Sequence, residues 1–387
     1  MEQQIKEFET LTELLEDLER EGITGNRRSE IVRRFLFLQA RKKRIPFSGG
    51  FELTPLCNFD CKMCYVHLNK GQMGQNLLTT EQWIEIMRQA IDAGMMYADI
   101  TGGECLTYPG FKEVYLYLLS RGVRVSVLTN GSLLTDEWID FFVKYRPEVI
   151  QISLYGSNDE AYKKVTGQAI FSRVKNNISR VAEKGIKIKV VVMPHRYMKE
   201  DMNNLLKMVQ SLGVEYAMGE VNLPARVGTG RELEDYVADS QLVADMKLLD
   251  WKYRQSQRSI MEYPIQEFYG AIPRGLVDDG GIPCGSGRCT FHVNWKGELT
   301  PCIPFYMISE SLNASDFLGA WKRIGDRMGE YRKPIECLQC DIKDTCMACP
   351  AEKCLGILNG SFNKVICDRT RRFQNAMERY LETKEFE

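Results

Sequence analysis

Cys57, Cys61 and Cys64, in the run Leu56-Cys-Asn-Phe-Asp-Cys-Lys-Met-Cys-Tyr65, present three thiolates at a spacing suited to one inorganic centre. A four-iron cluster is ordinarily closed by four Cys ligands, so a tight loop that supplies three leaves one iron open to an outside chelate. Zinc is the competing reading. It takes four protein ligands in a structural site, and His67 stands close enough in sequence to offer the fourth. Three buried thiols without metal are the third possibility.

The chain that must position this loop has 387 residues, enough for two domains with full cores. It is 44% hydrophobic and 27% charged, which is ordinary globular composition, and its net charge of −1 gives no electrostatic footprint for nucleic acid or an anionic membrane. No apolar run nears the ~20 residues of a transmembrane helix. The amino-terminal stretch MEQQIKEFETLTELLEDLERE is too charged for a signal peptide, so the expectation is a cytoplasmic protein with no nucleic-acid or membrane partner. Thirteen cysteines in that compartment argue for metal rather than disulfides.

Residues 1–46 read as a charged helical extension. After them strand and helix patterns alternate. Strands are expected at Phe51–Thr54, Tyr97–Thr101, Val123–Thr129, Val149–Leu154, Ile186–Met193 and Val214–Val221. Between them fall a helix capped by Thr80, or by Thr79 with Gln82, that places Trp83, Ile84, Met87 and Ile91 on one face; helices at Phe111–Ser120, 171–184 and 200–211; and one opening at Thr135-Asp-Glu-Trp. Six such units imply an α/β fold with a parallel sheet, either a partial barrel or a doubly wound open sheet. Both place a ligand at the carboxyl ends of the strands. Those ends carry Gly102-Gly103-Glu104, Thr129-Asn130-Gly131, Ser153 and Met193-Pro194-His195. Taken singly, each is also ordinary turn chemistry.

The cysteine spacing, the aromatic Tyr65 behind it and the order of these strand-end residues resemble the radical S-adenosylmethionine (SAM) superfamily. The resemblance implies a partial (β/α)6 TIM-like barrel over residues 47–235. It also implies that SAM chelates the open iron and is cleaved by one electron to methionine and a 5′-deoxyadenosyl radical. Gly102, Gly103 and Glu104 would receive the SAM amino group, Ser153 the ribose, and the residues around Val191–Met193 the adenine, with Tyr65, Thr129 and Asn130 completing the contact set. The family's glycine and Glu pattern near strand five is not recognisable here.

Beyond residue 280 the composition changes: Cys284, Cys289, Cys302, Cys337, Cys340, Cys346, Cys349, Cys354 and Cys367 crowd together. Their frame resembles the SPASM domain, an extension of radical SAM enzymes that carries two auxiliary [4Fe-4S] clusters. The resemblance assigns Cys284, Cys289, Cys302 and Cys349 to an inner cluster and Cys337, Cys340, Cys346 and Cys367 to an outer one, over residues 281–387 and behind a helical bridge at 236–280. Cys346 and Cys349 are one residue closer than in the commonest form, which leaves Cys354 as an alternative to Cys349. If Cys289 is not a ligand, the inner cluster has an open iron. A pair of zinc ribbons is the competing reading of the Cys-x2-Cys pairs.

Cys105, His67, His195, His292 and Tyr155 read as packing or hydrogen-bonding residues near the site. Arg27, Arg28, Arg33, Arg34, Arg41, Lys42, Lys43 and Arg44 make the second half of the extension basic, either a solvated helix face or a docking surface for an acidic leader peptide or a reductant. With three [4Fe-4S] clusters and SAM, the resemblance implies a peptide-modifying oxidoreductase. Its substrate would be a ribosomally made precursor peptide, left with a thioether or carbon–carbon crosslink or an oxidised residue, and its electron donor a flavodoxin- or ferredoxin-type protein. The alternative is a radical SAM dehydrogenase or epimerase of a small metabolite or sugar.

Overall fold

The computed structural model describes residues 8–66, 77–198, 201–219, 240–257, 284–312, 316–332, 334–343, 346, 348–351 and 364–383. Six parallel strands follow chain order: β1 (Ser48–Glu52), β2 (Tyr97–Thr101), β3 (Arg124–Thr129), β4 (Val149–Leu154), β5 (Ile188–Val192) and β6 (Glu215–Met218). Each pairs with the next. A doubly wound sheet reverses strand order at a switch point; across these six the order never reverses, as a partial barrel requires.

Side-chain parity shows which face is the lumen. Ala98 and Ile100, Val125 and Val127, Ile150 and Ile152, Val190 and Val192 are all fully buried. The intervening Asp99, Ser126, Gln151, Ser153, Lys189 and Val191 are half-buried and mostly polar. A parallel strand packed on both faces reads as continuously apolar, so the second face here lines a cavity. The first face is covered by α3 (Thr80–Asp92), α4 (Phe111–Ser120), α5 (Asp136–Lys144), α6 (Asp159–Thr166), α7 (Phe171–Glu183) and α8 (Met202–Ser211).

Some expected boundaries shift for identifiable reasons. The first strand begins at Ser48, not Phe51, because Gly49-Gly50 carries no strand propensity of its own. Glycine is required there: a Cβ on Gly50 would stand 2.6 Å from His292 Nδ1. Thr79, not Thr80, caps α3, its side chain accepting from Gln82 N at 3.3 Å while Gln82 Oε1 accepts from Thr79 N at 2.9 Å. The buried face of α3 is Trp83, Ile86, Met87 and Ala90, which displaces Ile84 and Ile91 to its flanks. The separate helix α6, capped by Asn158 and ended by left-handed Gly167, was not foreseen.

The cysteine-rich region extends the same sheet. Strand β7 (Thr290–Val293) pairs parallel with β1, and β8 (Glu298–Thr300) and β9 (Glu310–Ser311) follow antiparallel, giving nine strands in the order β6-β5-β4-β3-β2-β1-β7-β8-β9. After α9 (Ser240–Gln257), helix α10 (Phe317–Gly329) covers β7, with Phe291 5.0 Å from Phe317 and 5.8 Å from Phe51 between ring centres. A short α11 (Ile335–Leu338) and a long α12 (Lys364–Thr383), packed along α9, complete the region. Before the barrel come α1 (Leu11–Arg20) and α2 (Gly25–Lys43). Among the eight basic residues of the extension, Arg41 is buried; Arg33, Arg34, Lys42, Lys43 and Arg44 are exposed. Among the described residues, no helix is long and apolar enough to cross a membrane.

Candidate active site

The cysteine loop leaves the carboxyl end of β1 and is anchored on two sides. Gly103 N donates to Thr54 O at 2.7 Å and Glu104 N to Leu56 O at 2.8 Å, so the strand-two glycines bring their backbone against the loop itself. A Cβ on Gly103 would meet the carbonyl oxygens of both Pro55 and Leu56 at 2.5 Å. Across the loop, Asp60 N and Lys62 N donate to Thr166 O and Val165 O at the end of α6, at 3.1 and 2.9 Å. Tyr65 and Val66 then pack against Trp295 of the carboxyl-terminal region.

Glu104 is fully buried beside Cys57. Its Oε1 accepts from Thr129 Oγ1 at 2.7 Å and Leu106 N at 3.1 Å, and its Oε2 from Asn130 N at 2.8 Å. Burial raises its pKa, and these donors pull against that rise. Thr129 and Asn130, expected as SAM contacts, hold Glu104 in place. Asn130 also donates to Asn58 Oδ1 at 2.9 Å and approaches Cys57 Sγ at 3.8 Å, while Asn58 donates to Ser132 Oγ at 2.8 Å. Asn58 and Ser132 were missed at the sequence level. Asn58 sits between two cysteines and offers no separate signal.

Burial pushes the Cys57 thiol up to about 12, with the nearby Glu104 and Cys64 adding to it and Phe59 N opposing. Cys61 and Cys64 stand together beside Tyr155. Thiols in such a setting keep their protons until a metal displaces them. Among the described residues no three Cys, His, Asp or Glu side chains converge as ligands of one metal ion do; a four-iron cluster spreads its thiolates over separate irons.

Ser153 ends β4 on the lumen side and Met193 follows β5. His195, two residues on, is 1% exposed, and among the described residues neither ring nitrogen has a hydrogen-bond partner. Burial depresses its pKa to about 3, so it is a neutral imidazole with both polar atoms unused. That suits a polar ligand received at the end of strand five. Also facing the lumen are Glu52 and His292, both buried, and the half-buried Asp99, with Glu52 Oε1 3.4 Å from His292 Nε2. Strand parity identifies Glu52 and Asp99 only once the register is known. His67 and Cys354 lie outside the described residues.

In the carboxyl-terminal region Cys284 and Cys349 both act electrostatically on Cys302, and Cys284 on Cys289, which brings the expected inner set together. Burial raises Cys289 and Cys302 to about 12. Of the expected outer set, Cys340 and Cys367 both neighbour Arg371, whose guanidinium lies 3.3 Å from Cys340 Sγ. Cys337 is on α11, and Cys346 is half-buried. Among the described residues, the twelve cysteines form no disulfide.

A sequentially wound partial barrel with a three-cysteine loop at the mouth of a polar lumen defines a protein that holds an iron–sulfur cluster and a small ligand at its strand ends. Residues 51–209 match the Radical SAM superfamily, so this part of the chain is a Radical SAM domain. It is 26% identical over 267 residues to the antilisterial bacteriocin subtilosin biosynthesis protein AlbA of Bacillus subtilis (strain 168), covering 67% of this chain and 56% of AlbA. It is 26% identical over 326 residues to the mycofactocin maturase MftC of Mycobacterium tuberculosis (strain H37Rv), covering 80% of this chain and 79% of MftC. The crystal structure of Streptococcus suis SuiB bound to S-adenosylmethionine superposes over 92% of this chain and 87% of SuiB, with a TM-score of 0.64 at 16% identity, a likeness of fold. The thiol loop, buried Glu104 and the unpartnered nitrogens of His195 fit a cluster with SAM.

Proposed function

We propose that this protein is a radical SAM oxidoreductase that modifies a ribosomally made peptide, leaving a crosslink or an oxidised residue. The observation that carries the reading is the cysteine loop, clamped between Gly103-Glu104 and α6 at the mouth of a lumen whose sheet continues into a second cysteine-rich region. The names of AlbA and MftC, a bacteriocin biosynthesis protein and a maturase, favour a peptide over a sugar or metabolite. On this reading the chain divides into a helical extension at 1–46, a barrel at 47–235, a helical bridge at 236–280 and a SPASM domain at 281–387.

Cys57, Cys61 and Cys64 would hold the SAM-binding cluster; Cys284, Cys289, Cys302 and Cys349 the inner auxiliary cluster; and Cys337, Cys340, Cys346 and Cys367 the outer one. When bound, these groups supply a 5′-deoxyadenosyl radical and electron transfer. The chain's own residues bind, orient and shield. Glu104 holds the Thr129-Asn130 turn against Cys57, Ser153 lines the lumen, and His195 offers a neutral donor and acceptor to SAM. An oxidation that removes two hydrogens also releases a proton, and Glu52, Asp99 and His292 are the lumen groups able to hold it. The target C–H must be seated ~3–3.5 Å from the attacking carbon, in a lumen kept dry by its packed walls. A flavodoxin- or ferredoxin-type protein of the cytoplasm would deliver electrons.

The test is anaerobic incubation with SAM, reductant and the short peptide encoded beside the gene, followed by mass spectrometry. The expected product is lighter by about 2 Da, two hydrogens removed. Turnover of a sugar or metabolite with the peptide unchanged would contradict the peptide reading.

A further inference from the structure

Helix α2 does not end in solvent; it ends on the loop that carries Cys284 and Cys289. Arg41 is 4% exposed, and its Nε donates to the carbonyl oxygen of Cys284 at 3.3 Å. Ala40, Phe47 and Cys289 form one buried apolar cluster, packed by Leu36, Phe37 and Ile45. The backbone N–H groups of Phe47 and Ser48 both donate to the carbonyl oxygen of Cys289, at 2.9 and 3.0 Å. The Trp321 indole N–H fixes the helix end by donating to Arg44 O at 2.8 Å. Residues 40–48 thus touch both cysteines that open the inner set.

We propose that Arg41 is a positioning residue for the inner auxiliary cluster, holding a buried positive charge against it through Cys284 and Cys289 and so raising its reduction potential. The inference rests on those cysteines being cluster ligands, as proposed above. A thiolate-ligated cluster is anionic, and its potential follows net charge, hydrogen bonding and exposure. A cation held out of water beside it is poorly screened, so its effect outweighs that of any surface lysine. The geometry makes the end of the basic extension part of the cluster's wall, not a free docking arm.

The experiment uses the full chain with Cys57, Cys61 and Cys64 changed to Ala, which leaves the two auxiliary clusters, titrated by potentiometric EPR. Arg41→Gln keeps an N–H donor but removes the charge, whereas Arg41→Lys keeps the charge. In Arg41→Gln the equilibrium constant for reducing one cluster should fall about tenfold, a shift of ~59 mV for one electron. Arg41→Lys should stay within about threefold of the parent, and the second cluster should not move in either variant. The inference is overturned if Arg41→Gln, with its ~8 irons retained, titrates like the parent, or if both clusters shift alike. It is also overturned if both variants lose about four irons, since Arg41 would then be only structural. A parent protein without auxiliary iron would remove the cluster assignment itself, before Arg41 is changed.

Discussion

Gly103→Ala tests how the cysteine loop is seated. The new Cβ would stand 2.5 Å from the carbonyl oxygens of both Pro55 and Leu56, whereas even a favourable C–H···O contact keeps carbon and oxygen ~3.3–3.6 Å apart. Backbone must therefore move by about 1 Å, between two oxygens that leave no side to retreat to. The movement breaks the bonds from Gly103 N to Thr54 O and from Glu104 N to Leu56 O, at 2.7 and 2.8 Å. Each costs ~1–3 kcal/mol if its groups stay buried and unpaired, together ~2–6 kcal/mol, or at least ~30-fold against the seated loop. Iron per chain after anaerobic reconstitution and SAM affinity by calorimetry are the readouts. About four irons should be lost and SAM binding with them. Gly122→Ala is the control: its φ is +74° but nothing lies within 4 Å, so it should cost ~1–2 kcal/mol of stability and keep all iron. Wild-type iron and SAM affinity in Gly103→Ala would refute the reasoning.

Glu104→Gln keeps the shape but sets an amide N–H against one of the four donors the carboxylate now serves, Thr129, Asn130, Leu106 and the Cys105 thiol; a loss of ~1–3 kcal/mol in chemical denaturation is expected, with weaker SAM binding. His195→Leu should leave the SAM-free protein as stable or more stable, because two unpartnered nitrogens are removed, while SAM binding falls. Its pH profile carries the sign: with a folded pKa of about 3 against 6.5, the neutral imidazole's contribution is complete above pH 6.5 and is lost as pH falls toward 3. His195→Leu should therefore flatten the acid limb of an anaerobic denaturation series, and an unchanged limb would count against the assignment. Cys349→Ala should remove the inner cluster and Cys354→Ala should not, as read by iron content; the reverse would move the ligand to Cys354.

Much of the barrel was legible because its signals are local. Tyr97–Thr101, Phe111–Ser120 and Val149–Leu154 were expected at the observed bounds, since short apolar alternation and a helix with an apolar face need only their own residues. Glu104 was found from Gly-Gly-Glu at a strand end. What it touches across the sheet was not, because Thr129 and Asn130 reach it only after two strands lie side by side. The parallel pairing of β7 with β1 joins residues some 240 apart in sequence, and no local pattern encodes such a contact. Arg41 likewise looked like one of eight basic residues on a helix. Its burial depends on a cysteine loop more than 240 residues downstream.

Reductive cleavage of SAM is the most direct test of the central claim. Anaerobically reconstituted protein should carry about 12 irons per chain, four for each of three clusters, and with dithionite should convert SAM to methionine and 5′-deoxyadenosine. The Cys57→Ala/Cys61→Ala/Cys64→Ala variant should lose about four irons and all of this activity. Stoichiometric zinc with iron near zero, or full iron without any SAM cleavage, would contradict the account.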